Sequence, residues 1–365
     1  VPFFMLAGEV MNAGGLSRRI VNFAMALVGH VKGGLGYVTI VAAVIMASLS
    51  GSAVADAAAL TALLLPMMVA AGHDKARSAG LIASAGIIAP IIPPSIGFVI
   101  FGVAGGVSIT KLFMAGIFPG VLLAVSLWFT WWYLVRKEVV TPPPRKSAGE
   151  VISALKDATW ALVLPLIIIF GLKFGVFTPT EAAVVAAVYA ILISLFVYKE
   201  LNFKKLVPLF VNSAKTSAIV MFLVAAAMVS AWLITVANLP AQVVTLLEPL
   251  LSSPRLLMLA IMVLTMIVGT ALDMTPTILL LTPVLMPVVK AAGIDPVYFG
   301  VLFIINNAIG LITPPVGTVL NAVAGVGKVS MDEVTKGVIP FMIAQFAIMF
   351  LLVLFPPIVL VPARW

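Results

Sequence analysis

Ile91-Ile92-Pro93-Pro94, set in an otherwise apolar run, returns 221 residues later as Ile312-Thr313-Pro314-Pro315. The same interval separates Pro66 from Pro287 and Pro119 from Pro340. Leu65-Pro66-Met67-Met68-Val69-Ala70-Ala71-Gly72 therefore answers to Met286-Pro287-Val288-Val289-Lys290-Ala291-Ala292-Gly293, and Gly116-Ile117-Phe118-Pro119 to Gly337-Val338-Ile339-Pro340. Gly51-Ser52-Ala53 pairs with Gly269-Thr270-Ala271 in a register three residues shorter. Residues 51–119 and 269–340 read as two copies of one unit. Matched Gly/Pro-interrupted apolar segments in two halves of a chain point to the substrate and ion site of a secondary transporter.

The surrounding composition fits only a membrane setting. Of 365 residues, 63% are hydrophobic and 9% charged, far below the roughly one quarter charged residues of soluble domains. Apolar runs recur almost end to end, which predicts one all-α polytopic membrane domain over 1–365, with Thr141-Pro142-Pro143-Pro144 as the one obvious linker. The net charge of +8 would suggest nucleic acid in a soluble protein; here the basic residues sit in short connections, the positive-inside pattern. The absence of cysteine excludes disulfides, cysteine-ligated zinc and thiol chemistry. The chain opens at Val1 inside an apolar run without a start methionine, which predicts an incomplete N-terminus.

Arg136, Lys137, Arg145, Lys146 and Lys156 place the segment after Trp132 in the cytoplasm, and Lys199, Lys204, Lys205 and Lys215 do the same after two crossings around 159–175 and 181–198. A span around 216–237 then carries the chain outward. The second unit begins outside, while the first, flanked by Arg18, Arg19 and Lys32, begins inside, so the copies are inverted. Residues 35–71 and 255–290 are too interrupted for two full crossings each and read as re-entrant helical hairpins, with tips at Ser50-Gly51-Ser52 and Gly269-Thr270-Ala271. Irregular backbone at membrane depth must be buried in protein or line a polar cavity, which places both tips at the site.

Proline has no N–H to give the carbonyl four residues back. Pro90, Pro93 and Pro94 should free the carbonyls of Gly86, Ala89 and Pro90, and Pro314 and Pro315 those of Gly310 and Leu311. Ser48, Ser50, Ser52, Thr270 and Thr313 add hydroxyls, and unwound carbonyls with hydroxyls suit Na⁺. The plainer alternative is that the prolines merely kink two helices and the small residues allow close packing. Asp56 and Asp273 follow the two tips but are not equivalent, since Asp56 falls opposite Met274; capping of the second hairpin arm and a direct ion or substrate role both stand open. Thr178-Pro179-Thr180-Glu181 reads as a capping-box helix start. His30 and His73 read as solvated, Trp128, Trp131 and Trp132 as an interfacial belt, and the methionines as packing.

Over essentially the whole chain these residues resemble the large membrane subunit of tripartite ATP-independent periplasmic (TRAP) transporters. The motifs that carry the resemblance are Phe4-Met5-Leu6-Ala7-Gly8-Glu9 with Gly14-Gly15-Leu16-Ser17, Ser50-Gly51-Ser52-Ala53-Val54-Ala55-Asp56, Pro90 to Ser95, Phe177 to Ala182 and Gly310 to Pro315. The resemblance implies a sodium-driven importer of organic acids in the bacterial inner membrane. It would be served by a periplasmic substrate-binding protein, a small four-helix membrane subunit and the surrounding lipid.

The fold so implied is that of elevator-type ion transporters. A transport part near 33–111 and 252–332 slides against scaffold and arm elements near 1–32, 112–251 and 333–365. The implied sodium ligands are Ser48, Ser50, Gly51, Gly86, Ala89 and Ile92 in one site and Gly269, Gly310, Thr313 and Val316 in the other. Ser52, Asp56, Ser95, Thr270, Asp273 and Thr318 are the substrate candidates. Relatives carry an apolar stretch before Phe3-Phe4 that is missing here, and some are fused to the small subunit. The wording around Met46 to Ser50 and at Trp131-Trp132 is closer to members handling sugar acids such as sialic acid than to those handling C4-dicarboxylates. Rival readings are a stand-alone sodium/carboxylate symporter, an intramembrane aspartyl protease using Asp56 and Asp273, and a purely structural scaffold subunit.

Overall fold

A computed structural model describes residues 1–363; the last two residues of the 333–365 stretch lie outside the described residues. The described residues form helices and connections, with no strand among them. Two entry helices, α1 (Pro2–Ala13) and α2 (Leu16–Val28), lead into a hairpin of α3 (Gly34–Ser50) and α4 (Ala53–Ala70). A helix broken at its middle follows, α5 (Lys75–Gly86) and α6 (Ile96–Gly105), and then the long α7 (Ile109–Val135).

After the linker come α8 (Ala148–Lys173), α9 (Pro179–Leu192, prolonged by a π-turn Ile193–Val197) and α10 (Phe203–Val236). Short helices α11 (Leu239–Leu246) and α12 (Glu248–Leu251) precede a second hairpin, α13 (Pro254–Gly269) and α14 (Met274–Ala291). A second broken helix, α15 (Pro296–Gly310) and α16 (Thr318–Gly327), a second long helix α17 (Met331–Leu354) and α18 (Pro357–Ala363) complete the chain. Hairpin, broken helix and long helix thus recur in the same order in both copies.

Local chemistry sets the boundaries. Thr178 and Glu181 form the expected capping box at α9, and Ser147 with Glu150 and Ser330 with Glu333 do the same at α8 and α17. Gly51 has φ +61°, the left-handed turn that lets α3 end and α4 begin within two residues. Among the described residues seven helices are long and apolar enough to cross a membrane: α4, α7, α8, α9 with its π-turn, α10, α14 and α17. Along α10, Phe210, Ile219, Phe222, Met228 and Trp232 are exposed, an apolar surface that suits lipid rather than water.

The two broken helices run antiparallel. Lys75, at the start of α5, donates to the carbonyl of Lys328, just past the end of α16, at 3.0 Å. The long helices interlock the copies, because α17 packs on α5 and α7 packs on α15. Gly80 and Gly337 make the first of these crossings a backbone contact: a Cβ on Gly337 would collide with the carbonyl of Ala76, and one on Gly80 with the backbone of Gly337. Close approach through small residues is how membrane helices gain packing energy without a hydrophobic drive. Gln345 of α17 adds a bond from Nε2 to the carbonyl of Ser84 in α5, 2.9 Å and fully buried.

Several side chains sit differently from the sequence expectation. His73 is buried, not solvated; its Nδ1 lies 2.8 Å from Glu138 Oε2, and Arg77 holds the other oxygen of Glu138. The linker folds back over the base of the first hairpin, with Thr141 N bonding Ala71 O at 3.2 Å, and encloses the imidazole. Of the three tryptophans Trp132 alone is exposed, beneath the Arg136 guanidinium at 3.6 Å. Trp131 is fully buried and donates Nε1 to Gly33 O at 2.8 Å, while Trp128 lies against Tyr37 with ring centroids 4.2 Å apart. Gly36 makes room for the Trp131 indole, where a Cβ would collide with the ring.

Candidate functional site

Both hairpin tips end on the break of a broken helix. Gly51 abuts the first Pro-Pro turn so closely that a Cβ there would lie 2.5 Å from Pro94 O. Gly269 abuts the end of α15: a Cβ on Gly310 would lie 2.9 Å from Gly269 O. The second tip is also stitched by a hydrogen bond from Val316 N to Thr270 O, 3.3 Å. Both Pro-Pro bonds, Pro93-Pro94 and Pro314-Pro315, are cis.

At the first tip Ser48, Ser50 and Gly51 are buried, as are Gly86, Ala89 and Ile92 around the break. Ser50 Oγ donates to Asp56 Oδ1 at 2.5 Å and accepts from Ser52 N at 3.1 Å. Ser48 Oγ is turned back to Ile45 O at 2.5 Å. Ser52 caps α4 by accepting from Ala55 N at 3.4 Å. Asp56 therefore does not cap the arm. It is 1% exposed, and its Oδ2 is buried with no hydrogen-bond partner. A buried carboxylate oxygen without a partner is costly and marks a place for a cation or a proton donor.

The second tip is built more openly. Gly269 is buried, Thr270 and Thr313 are partly exposed, and Ala271, Asp273 and Val316 are exposed. Asp273 occupies the N-cap position of α14 without a capping bond from its side chain; its Oδ1 accepts from Thr318 Oγ1 at 3.1 Å. Thr313 Oγ1 donates to Ile309 O at 2.8 Å and Thr270 Oγ1 to Ile267 O at 2.8 Å. Asn321, which sequence reasoning did not single out, is exposed one turn after Thr318 and ties α16 to the break by donating Nδ2 to Val316 O at 2.8 Å. The signal that could have found it was a polar residue near the start of a short apolar helix after a Pro-Pro pair.

The carbonyls opposite the prolines are less free than the proline spacing predicts. Four of the five carbonyls expected to be free have a partner: Gly86 O accepts from Ala89 N at 3.1 Å and Gly310 O from Thr313 N at 3.0 Å, both tight i+3 turns. Pro90 O accepts from Ser95 Oγ at 2.5 Å, and Leu311 O from Val319 N at 3.0 Å. The chain tightens and caps itself where proline withholds its N–H, as helix ends do. Each carbonyl keeps a second lone pair, so the oxygens remain available as ligands. Among the described residues no three carboxylate or histidine side chains converge. The oxygens at the tips are hydroxyls and backbone carbonyls with one buried carboxylate, the hard-ligand chemistry of alkali and alkaline-earth cations.

Interlocked apolar helices with two hairpin tips seated on two broken helices define a multi-pass membrane protein of the transport class. The family model for the tripartite ATP-independent periplasmic transporter, DctM component, matches residues 1–358, and the chain belongs to that family. It is 55% identical over 365 residues to the 2,3-diketo-L-gulonate TRAP transporter large permease protein YiaN of Escherichia coli, which covers all of this chain and 86% of the relative. Over 356 residues it is 38% identical to the sialic acid TRAP transporter large permease protein SiaM of Vibrio cholerae, 98% of this chain and 83% of the relative. Over 365 residues it is 34% identical to the C4-dicarboxylate TRAP transporter large permease protein DctM of Pseudomonas aeruginosa, 100% of this chain and 86% of the relative. The chain is a multi-pass inner-membrane component of an organic-acid uptake system.

Proposed function

We propose that the chain is the large permease of a sodium-coupled importer of a sugar-derived acid, working by an elevator movement. The observation that carries the reading is the twin seating of a hairpin tip on a helix break, with the unpartnered Asp56 Oδ2 at the first. Each tip meets the middle of a broken helix and not its end, which supports a tip depth near the midplane and a re-entrant hairpin. Na⁺ is a co-transported substrate here. Ser48, Ser50, Gly51, Gly86, Ala89 and Ile92 would hold one ion, with Asp56 supplying the neutralising charge; Gly269, Gly310, Thr313 and Val316 would hold a second. The acid would lie between the tips, reached by Ser52, Ser95, Thr270, Asp273 and Thr318. Helix N-termini at Ser52 and Ser95 together with the ions offset its desolvation.

The interlocking of α17 on α5 and of α7 on α15 supports a moving body larger than 33–111 and 252–332, one that includes α7 and α17. The scaffold would then be α1, α2 and α8 to α10, with the Pro142-Pro143-Pro144 linker joining the two parts. A small four-helix membrane subunit would cover part of the exposed face of α10, and a periplasmic binding protein would deliver the acid. The 2,3-diketo-L-gulonate and sialic acid relatives favour a sugar-derived acid. An aspartyl protease is disfavoured because Asp56 and Asp273 are each held by a hydroxyl of their own, on different elements.

The test is uptake into proteoliposomes holding the large and small subunits, fed by the cognate periplasmic protein. Uptake should require an inward sodium gradient. Equal uptake when K⁺ replaces Na⁺ removes the mechanism, and efficient uptake without the periplasmic protein replaces it with a stand-alone symporter.

A further inference from the structure

Twin folds can bind twin ions with equivalent residues, but a single substrate must be read by residues that break the symmetry. Polar groups at the site sort accordingly. Tip hydroxyls and break carbonyls occur in both halves, whereas Thr318 and Asn321 have no polar counterparts: in the 221-residue register they fall opposite Gly97 and Ile100, both buried. Asp273, counted from the paired tips, falls opposite Ala55. Three asymmetric polar residues thus gather on one side of the site. Thr318 Oγ1 bonds Asp273 Oδ1 at 3.1 Å, and Asn321 follows one turn later on the same exposed helix face.

Their chemistry is lopsided. Asp273 offers acceptor oxygens only, and Asn321, with one Nδ2 hydrogen given to Val316 O, offers its Oδ1 and the one remaining hydrogen. Thr318 has its proton directed to Asp273 and presents lone pairs. No lysine or arginine lies between Gly269 and Ala271 or between Thr313 and Gly327. Such a surface takes hydroxyl hydrogens and repels a carboxylate. We infer that Thr318, Asn321 and Asp273 form a hydroxyl-reading subsite, so that the permease itself favours a polyhydroxylated monocarboxylic acid over a C4-dicarboxylate. The inference rests on the proposed transport reading, with the single carboxylate directed toward the helix N-terminus at Ser52 and the hydroxylated chain toward α16.

The experiment uses the purified complex of large and small subunits, so that no periplasmic protein selects the ligand. Thermal unfolding is followed in NaCl and in KCl against increasing D-gluconate or succinate. In NaCl gluconate should raise the midpoint and succinate should not. Thr318→Val and Asn321→Ala should each move the gluconate response to at least about tenfold higher concentration, as expected where a site built to bond hydroxyls loses a partner. Thr318→Val should keep the sodium-only stabilisation of wild type, and a single cooperative unfolding transition in KCl should show that both variants are folded. Equal response to both acids, response to neither, or unchanged gluconate titrations in both variants overturns the subsite. A gluconate preference that persists in KCl supports the subsite while contradicting sodium coupling.

Discussion

Ser50 Oγ donates to Asp56 Oδ1 at 2.5 Å across the first hairpin tip, and the second oxygen of that carboxylate is buried without a partner. The arrangement gives the first site a buried carboxyl group that the second site, with Met274 at the matching position, does not have. An isolated buried charge destabilises the protein until a counter-charge arrives.

Asp56→Asn should therefore act in opposite directions with and without sodium. In KCl the variant should unfold at the same or a higher temperature than wild type, by up to about 1–3 kcal/mol, since an uncompensated buried acceptor charge is gone. In NaCl the first site's share of the stabilisation should disappear, and sodium half-saturation of uptake should rise on the order of 100-fold, the scale of breaking a buried charge pair. A sodium titration of the unfolding midpoint in both variants reads the two effects together.

The seating of the second tip depends on two glycines. Gly310→Ala would put a methyl group 2.9 Å from Gly269 O and force the tip off the helix break. Uptake should fall at least about tenfold, with a stability loss of about 1–3 kcal/mol, as for overpacking elsewhere. Gly149→Ala in the first turn of α8, where the added carbon meets nothing closer than Ser147 Oγ at 4.0 Å, should leave uptake unchanged. Parallel uptake and unfolding measurements on the two variants separate seating from a general intolerance of glycine substitution.

The linker clasp makes a different prediction. Glu138 joins buried His73 and half-exposed Arg77, so Glu138→Gln weakens two charge-assisted bonds at once. The loss should be about 1–3 kcal/mol, read as a lower unfolding midpoint in both NaCl and KCl. The sodium-dependent shift itself should be unchanged, because the clasp lies at the base of the hairpin and not at its tip.

Much of this architecture was legible because glycine and proline act through their own backbones. Gly51 and the two Pro-Pro pairs mark the tip and the breaks where they stand, and Thr178 with Glu181 announces a helix start within four residues. What escaped depends on partners far away in the chain. His73 meets Glu138 at 65 residues' separation, and Trp131 meets Gly33 at 98, so neither burial is visible in local pattern. The carbonyls of Gly86 and Gly310 are satisfied locally, by i+3 turns whose donors a strict four-residue count ignores. That Ser52 and not Asp56 caps α4 is likewise invisible in the sequence, where both stand within the first turn. Asn321 was hidden in an apolar helix whose exposed face only the packing defines.

The account stands most directly on sodium binding at two separate tips. Equilibrium binding of radioactive sodium to the purified complex should saturate at two ions per large subunit. Ser50→Ala with Asp56→Asn should remove one ion and Thr313→Val should weaken the other, each leaving its neighbour bound. Saturable sodium binding that neither set of substitutions alters, or no sodium binding above that of potassium, would contradict it.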